Sequence, residues 1–263
     1  MPYQKKLNYK YMDIITTGTA LAIANKLLGK TAEEISKDIS SLYSKGRDKI
    51  VEFSTRKITN IDDGKQANLR VARDVFWGGS FTEEAICAEY FGGILASSRS
   101  TDGKDDSGIY YVDVIKSLSS TQLHLHYVLY RSLNKLLISD SSKNTLNVGQ
   151  NAELNSVRLY FSVIELNSIG LSVDTDLEAL YRKGLIHEYK TDNHNFADSE
   201  NKTKILPYTM IVPTTLGIQL LCIANNLLTD WRLFPVKDFG DFQDIKTCMY
   251  FDSSLEKIIT KIK

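Results

Sequence analysis

The chain of 263 residues has little of what marks a secreted or polyanion-binding protein. It contains three cysteines and four prolines, and its basic and acidic residues balance at 32 each. The cysteines, Cys87, Cys222 and Cys248, lie far apart and cannot form a closed set of disulfides, so we expect buried thiols in a reducing compartment. Because the net charge is zero, no global field attracts nucleic acid or an anionic bilayer, and such binding would need a local patch.

Long apolar runs are also missing. The most apolar early stretch, from Ile14 to Leu28, is interrupted by polar residues and is shorter than the ~20 apolar residues that span a bilayer. The polar start, MPYQKKLNYKYMD, has no signal-peptide core. We therefore expect a cytoplasmic protein.

Catalytic and metal-binding signatures are absent as well. The sequence has no P-loop, G-x-G-x-x-G or HExxH motif. Trp77-Gly78-Gly79-Ser80 lacks the glycine that follows the serine of a nucleophile elbow, and Ser80 with Glu83 is better explained as a helix capping box. His124 and His126 point to different faces of a helix. We predict no catalytic residue, no metal, no cofactor and no enzymatic activity.

What is present is helical periodicity. The pattern is helical from Met12 to about Ile58, with a capping box at Thr31 and Glu34, and again after the capping box of Ser119 and Gln122. These patterns predict a mainly α fold, in which a helical N-terminal region is followed by a winged-helix-like α+β C-terminal module.

That module is predicted from the order of its elements. The pattern indicates helix over Leu159–Leu166, a helix capped by Thr175 and Glu178 and ended by Gly184, strands over Ile186–Thr191 and Ile205–Val212, and helix over Thr214–Asn226. Polar stretches mark the boundaries. We predict a helical region over 1–60, a helical middle region over 61–150, the winged-helix-like module over 151–230 and a C-terminal tail with a terminal helix over 231–263.

A winged helix suggests DNA binding, but the charges of the module oppose it. Between Leu171 and Val212, five basic residues are outnumbered by seven acidic ones, and phosphate contacts supply most non-specific affinity for DNA. A protein contact through this module and the polar loop Ser97–Gly108 is the favoured hypothesis. The candidate interaction residues are the cations of these two segments: Arg99, Lys104, Arg182, Lys183, Lys190, Lys202 and Lys204.

Three segments resemble the abortive-infection alpha (Abi-alpha) family of bacterial and phage-related genomes. They are the helix from Glu83 to Ala96, the segment YVDVIKSLS from Tyr111 to Ser119, and Pro213–Gly217 within a resemblance that covers about Val75 to Asn226. The resemblance implies a role in defence against phage or in the contest between phage and host. It carries over no catalytic residue and no enzymatic step.

Three functions follow from these observations. The first is a non-enzymatic protein-interaction module in anti-phage defence, with a host or phage protein as partner. The second is a DNA-binding regulator that uses the wing and the helix Asp176–Lys183. The third is an effector that acts at the membrane surface, or self-associates, through the small residues Gly18, Ala20, Ala22 and Ala24 of an early helix.

Overall fold

A computed structural model of the chain describes residue 26 and residues 44–80, 84–140, 145–198 and 200–262. These residues form helices together with one four-stranded and one two-stranded antiparallel sheet. The predicted mainly α fold is therefore wrong, and the chain is an α+β protein. The prediction fails at segments such as Leu159–Ser162, because periodicity alone does not distinguish a short buried strand from a buried helix.

The chain divides into two compact units, Met1–Asp113 and Val114–Lys263. In the first unit the elements are α1 (Ser44–Arg56), β1 (Gln66–Ala67), α2 (Leu69–Gly79), α3 (Ala85–Ser97) and β2 (Arg99–Ser100), and the division falls within α4 (Gly108–Lys116). Helix α1 confirms part of the predicted N-terminal helical pattern. The capping box of Thr31 and Glu34 and the small residues from Gly18 to Ala24 lie outside the described residues.

The helices of the first unit pack around a core that includes Ile50, Val71, Phe76 and Ile94, all buried. Ser80 does not begin a helix as predicted. It ends α2, where its backbone N–H donates to the carbonyl of Phe76, and α3 starts after Glu84 without a side-chain cap.

A buried ion pair joins α3 to the chain just after α1. The Lys57 ammonium contacts the Glu89 carboxylate and donates to the Glu89 carbonyl at 2.7 Å, with both side chains almost inaccessible. Burial lowers the pKa of Lys57 to about 8, against the opposing effect of the Glu89 carboxylate. Each charge of this buried pair stabilises the other.

We expect Lys57→Met to cost about 3–5 kcal/mol of unfolding free energy, because it leaves the Glu89 carboxylate buried without its counter-charge. Chemical denaturation of Lys57→Met, Glu89→Leu and the double variant measures the coupling. The double variant should recover most of the loss, since an apolar pair leaves no buried charge. Losses that simply add would contradict a coupled pair.

The second unit contains most of the strands. Its elements are α5 (Ser120–Ser139), α6 (Asn151–Leu154), β3 (Leu159–Ser162), α7 (Val163–Ser168), α8 (Asp174–Arg182), β4 (Ile186–Ala197), β5 (Thr203–Pro213), α9 (Thr215–Ala224), a 3-10 helix (Leu228–Leu233), β6 (Phe251–Asp252) and α10 (Leu255–Ile262). The strand order is β4-β5-β3-β6. Helix α7 contacts β3 and β5, and α8 contacts β4. Helix α10 contacts β3 and β6.

The predicted hairpin is confirmed, and so are several helix ends. Strands β4 and β5 pair from Glu188↔Val212 to Ala197↔Thr203. Gly184 ends α8 with φ +68°, and the capping box of Ser119 and Gln122 is present at the start of α5. The capping role of Thr175 is wrong, because α8 already begins at Asp174.

Helix α5 holds the hairpin by a buried tyrosine. The Tyr130 hydroxyl donates to the carbonyl of Leu185, just before β4, and accepts from the backbone N–H of Thr214, just after β5, at 2.9 Å. A Cβ on Gly217 would lie 2.0 Å from the Tyr130 ring, so only glycine allows α9 to approach this closely. Both roots of the hairpin are thus attached to one side chain of α5.

The C-terminal tail is attached to the same helix. The Asn134 amide donates to the carbonyls of Phe234 and Lys237 at 2.7 and 2.9 Å and accepts from the N–H of Phe239 at 3.2 Å. The Arg131 guanidinium lies 2.7 Å from a carboxylate oxygen of Asp238. The tail then adds β6 to the sheet beside β3.

Tyr130→Phe should lower the unfolding free energy by about 2–4 kcal/mol, because it leaves the Leu185 carbonyl and the Thr214 N–H buried without a partner. The matched control is Tyr181→Phe, which removes an exposed hydroxyl and should cost less than about 0.5 kcal/mol. Urea denaturation measures both. Equal losses of unfolding free energy in the two variants would show that the bonds of the Tyr130 hydroxyl do not stabilise the fold.

Candidate functional site

The end of α8 and the start of β4 bring two tyrosines and an ion pair together at the surface. The Tyr189 hydroxyl donates to Glu178 Oε2 at 2.7 Å, and Arg182 Nε donates to Glu178 Oε1 at 2.7 Å. The rings of Tyr181 and Tyr189 meet edge to face, with their centroids 6.1 Å apart. We call these four residues the helix–hairpin surface.

Hydrogen bonding sets the protonation of this surface. The bond from the Tyr189 hydroxyl, with the bond from Arg182, lowers the pKa of Glu178. The same bond to Glu178 raises the pKa of Tyr189. At neutral pH the carboxylate is therefore ionised and the phenol protonated, so the cluster contains neither a poised base nor an activated nucleophile.

The predicted cations of this region are mostly neutralised by neighbouring carboxylates. Arg182 pairs with Glu178 at 2.7 Å, Lys190 with Asp192 at 2.7 Å, Lys202 with Glu200 at 2.6 Å and Lys204 with Asp198 at 3.0 Å. Lys183 is exposed and has no carboxylate partner in the part of the chain that the structure describes. The hairpin therefore presents alternating charges and no basic stripe.

The two predicted cations of the first unit differ from each other. Lys104 is exposed in the loop before α4. The Arg99 side chain is only 4% exposed and contacts the Asp63 carboxylate, and it donates to the carbonyls of Ile61 and Lys65 at 3.3 and 3.1 Å. Its guanidinium therefore holds the loop before β1 and is not displayed to a partner.

Tyr181 and Tyr189 are not among the interaction residues predicted from the sequence. Helical periodicity places Tyr181 on the apolar face with Leu177 and Leu180, yet these leucines are fully buried while Tyr181 is 49% exposed. Successive residues of a helix are 100° apart, so Leu180 and Tyr181 can lie on opposite sides of the buried boundary. No sequence signal identifies Tyr189 as the partner of Glu178, because their contact depends on how α8 meets the hairpin.

The interior contains thiols and the imidazole of His126. All three cysteines are free and buried, as predicted, and burial raises the pKa of the Cys222 and Cys248 thiols well above the usual range. His126 is fully buried, its ring stacks on Tyr130, and its Nε2 donates to the Gly217 carbonyl at 3.1 Å. Within the described residues, no three His, Cys, Asp or Glu side chains are grouped to hold a metal.

A cavity of about 400 Å³ in the second unit is lined by residues that include Leu136, Glu153, Arg158 and Tyr160. Its charged groups are directed at nearby backbone: Arg158 donates to the carbonyl of Val157 at 3.3 Å, and Glu153 accepts from the N–H of Asn147 at 2.7 Å. These two charged groups are therefore already bonded to the backbone around the cavity. None of the helices in the described ranges is both long and apolar enough to cross a bilayer.

Burial of His126 makes stability depend on pH. Burial lowers its pKa to about 3, although the bond to the Gly217 carbonyl opposes the shift. Below a pH of about 6.5 the unfolded chain binds a proton that the folded chain refuses, so stability falls on acidification, by up to about 1.4 kcal/mol per pH unit. In His126→Gln, whose amide can also donate to Gly217, the slope between about pH 6 and 4 should be shallower by that amount. Parallel slopes in urea titrations would refute this.

Comparison with known proteins identifies no relative of this chain. No protein-family model, characterised protein or solved structure matches the chain. The resemblance to the Abi-alpha family therefore stays a prediction, and the function is argued from the surface itself.

Proposed function

We propose that this chain is a non-enzymatic protein-interaction module that acts in the bacterial cytoplasm in defence against phage. The defence role rests on the resemblance to the Abi-alpha family, and the location on the composition of the chain. The interaction role rests on the helix–hairpin surface. The observation that carries it is the contact between the exposed Tyr181 and the half-buried Tyr189, whose hydroxyl is held by Glu178.

Tyrosines of this kind are suited to protein contacts. A phenol ring supplies a large amphipathic contact area at low cost in side-chain entropy, and tyrosine and arginine are enriched among residues that dominate binding energy. Here Tyr189 is oriented by its bond to Glu178, and Arg182 lies on the same carboxylate. Farther along the hairpin, Ile205 is 60% exposed and adds apolar area.

A DNA-binding regulator is the alternative, and the ion pairs count against it. Phosphates would have to compete with Glu178, Asp192, Asp198 and Glu200 for the cations that face them. Lys183 alone cannot replace the several phosphate contacts that support non-specific affinity. A protein partner needs no such rearrangement.

The experiment compares tagged wild-type chain, Tyr181→Ala and the control Leu233→Ala by quantitative capture from infected and uninfected bacteria. Leu233 on the 3-10 helix is 48% exposed, which matches Tyr181. A specific partner should be retained by wild type and Leu233→Ala. Its affinity, measured with purified partner, should fall by about thirtyfold in Tyr181→Ala, as for an interfacial anchor worth about 2 kcal/mol.

Two results would contradict the proposal. One is the absence of any specific partner from either culture. The other is a duplex-DNA mobility shift at low salt that Arg182→Glu with Lys183→Glu abolishes, which would favour the DNA-binding alternative.

A further inference from the structure

Strand β4 is a long edge. It has twelve residues and pairs with β5 on one side, and among the described residues no strand pairs with its other side. Most of its side chains between His187 and Ala197 are exposed. One bulge interrupts it, between Ile186 and Glu188, and the rest pairs with β5 without irregularity. Such an edge is a template for another strand unless the protein blocks it.

The opposite strand reveals which backbone groups of β4 face outwards. Asn193 lies opposite Pro207, which has no N–H, so this pair occupies a position without hydrogen bonds between the two strands. The N–H and C=O of Asn193 therefore point away from β5, and this N–H donates to Asp192 Oδ1 of the same strand at 2.8 Å. Because the pattern alternates, those of Tyr189, Thr191 and Asn195 point the same way.

The charge pattern of β4 is complementary to that of a second β4 strand running in the opposite direction. If a second copy of β4 pairs antiparallel with Thr191 opposite Thr191, the outward groups of the two strands meet in register. Lys190, which contacts Asp192 of its own strand at 2.7 Å, then also faces Asp192 of the other copy, and the Glu188 carboxylate faces the His194 ring. By symmetry each pair occurs twice, which gives four favourable cross-strand pairs.

A shift of the two-fold centre by one residue destroys this match. Centring on Lys190 places that lysine opposite itself and Glu188 opposite Asp192. Centring on Asp192 places that carboxylate opposite itself. Like charges directly opposite each other destabilise a strand pair. The charged residues that would protect an edge against most strands thus disfavour the two registers centred on Lys190 and Asp192.

We propose that this edge is a self-association surface, where β4 strands of two copies pair antiparallel about Thr191 and join their sheets into one of eight strands. The occupant is a second copy of this chain, because the charge pattern is self-complementary. This seam uses the outward backbone groups of β4, whereas the partner contact proposed above uses the side chains of the helix–hairpin surface. A purified chain without any partner is sufficient to test it.

The first test measures the dimer by sedimentation equilibrium. Wild type should dimerise with a dissociation constant on the order of micromolar, as expected for a small interface. Thr191→Pro should weaken the dimer by more than about a hundredfold, since it removes an outward N–H that β5 does not use and places a ring in the seam. Thr191→Val keeps the N–H and the branched shape and should dimerise like wild type. Circular dichroism and urea denaturation verify that both variants fold.

The second test exchanges charges. Lys190→Asp and Asp192→Lys each place like charges opposite each other at two positions, and each should weaken self-association on the order of tenfold to a hundredfold. Mixed together, the two variants should form a heterodimer near wild-type affinity, because each carboxylate again faces an ammonium. A merely structural role of Lys190 and Asp192 within one chain does not predict this recovery.

Several outcomes would overturn the proposal. They are a wild type that stays monomeric at about a hundred times the expected dissociation constant, a dimer that Thr191→Pro leaves intact, and a mixture of the two charge variants that remains monomeric. If this edge instead binds a strand of another protein, the purified wild type stays monomeric, which is the first of the three contradicting outcomes.

Discussion

The hairpin is held at its base by one buried hydroxyl. Tyr130 on α5 binds the backbone on both sides of the hairpin, at Leu185 and at Thr214. The Thr214 hydroxyl in turn donates to the Gly184 carbonyl at 2.8 Å, and it accepts from the N–H of Gly217 at the start of α9. The end of α8, the hairpin and the start of α9 are therefore joined at one point, where burial makes every unpaired backbone group costly.

The outer part of the hairpin lies beyond this junction and is largely exposed on β4. From Leu206 to Pro213, β5 is largely buried, whereas β4 is largely exposed over the same length. The side chains of β4 therefore contribute little to the core, and their charges are not required for it. That freedom allows β4 to carry an alternating pattern of charge and the tyrosine that completes the helix–hairpin surface.

Both units use buried polar groups in the same manner. In the first, the pair of Lys57 and Glu89 joins α3 to the end of α1. In the second, Arg131 and Asn134 of α5 bind the tail from Phe234 to Phe242. Hydrophobic burial drives each unit to collapse, and these paired groups define which segments meet, because an unpaired alternative is penalised.

Local features can be predicted from the amino-acid sequence: the buried cysteines, the capping box of Ser119, the end of α8 at Gly184 and the hairpin. Each depends on residues close in the chain and on the backbone preferences of glycine and serine. The sequence-based prediction is wrong for Leu159–Ser162, which is a strand and not a helix. It is also wrong for Arg99, which was predicted to be an exposed cation and has a buried side chain. Packing between segments distant in sequence buries the Arg99 side chain, brings Tyr181 and Tyr189 together and places β4 at the edge of the described sheet. A local sequence pattern does not contain this information.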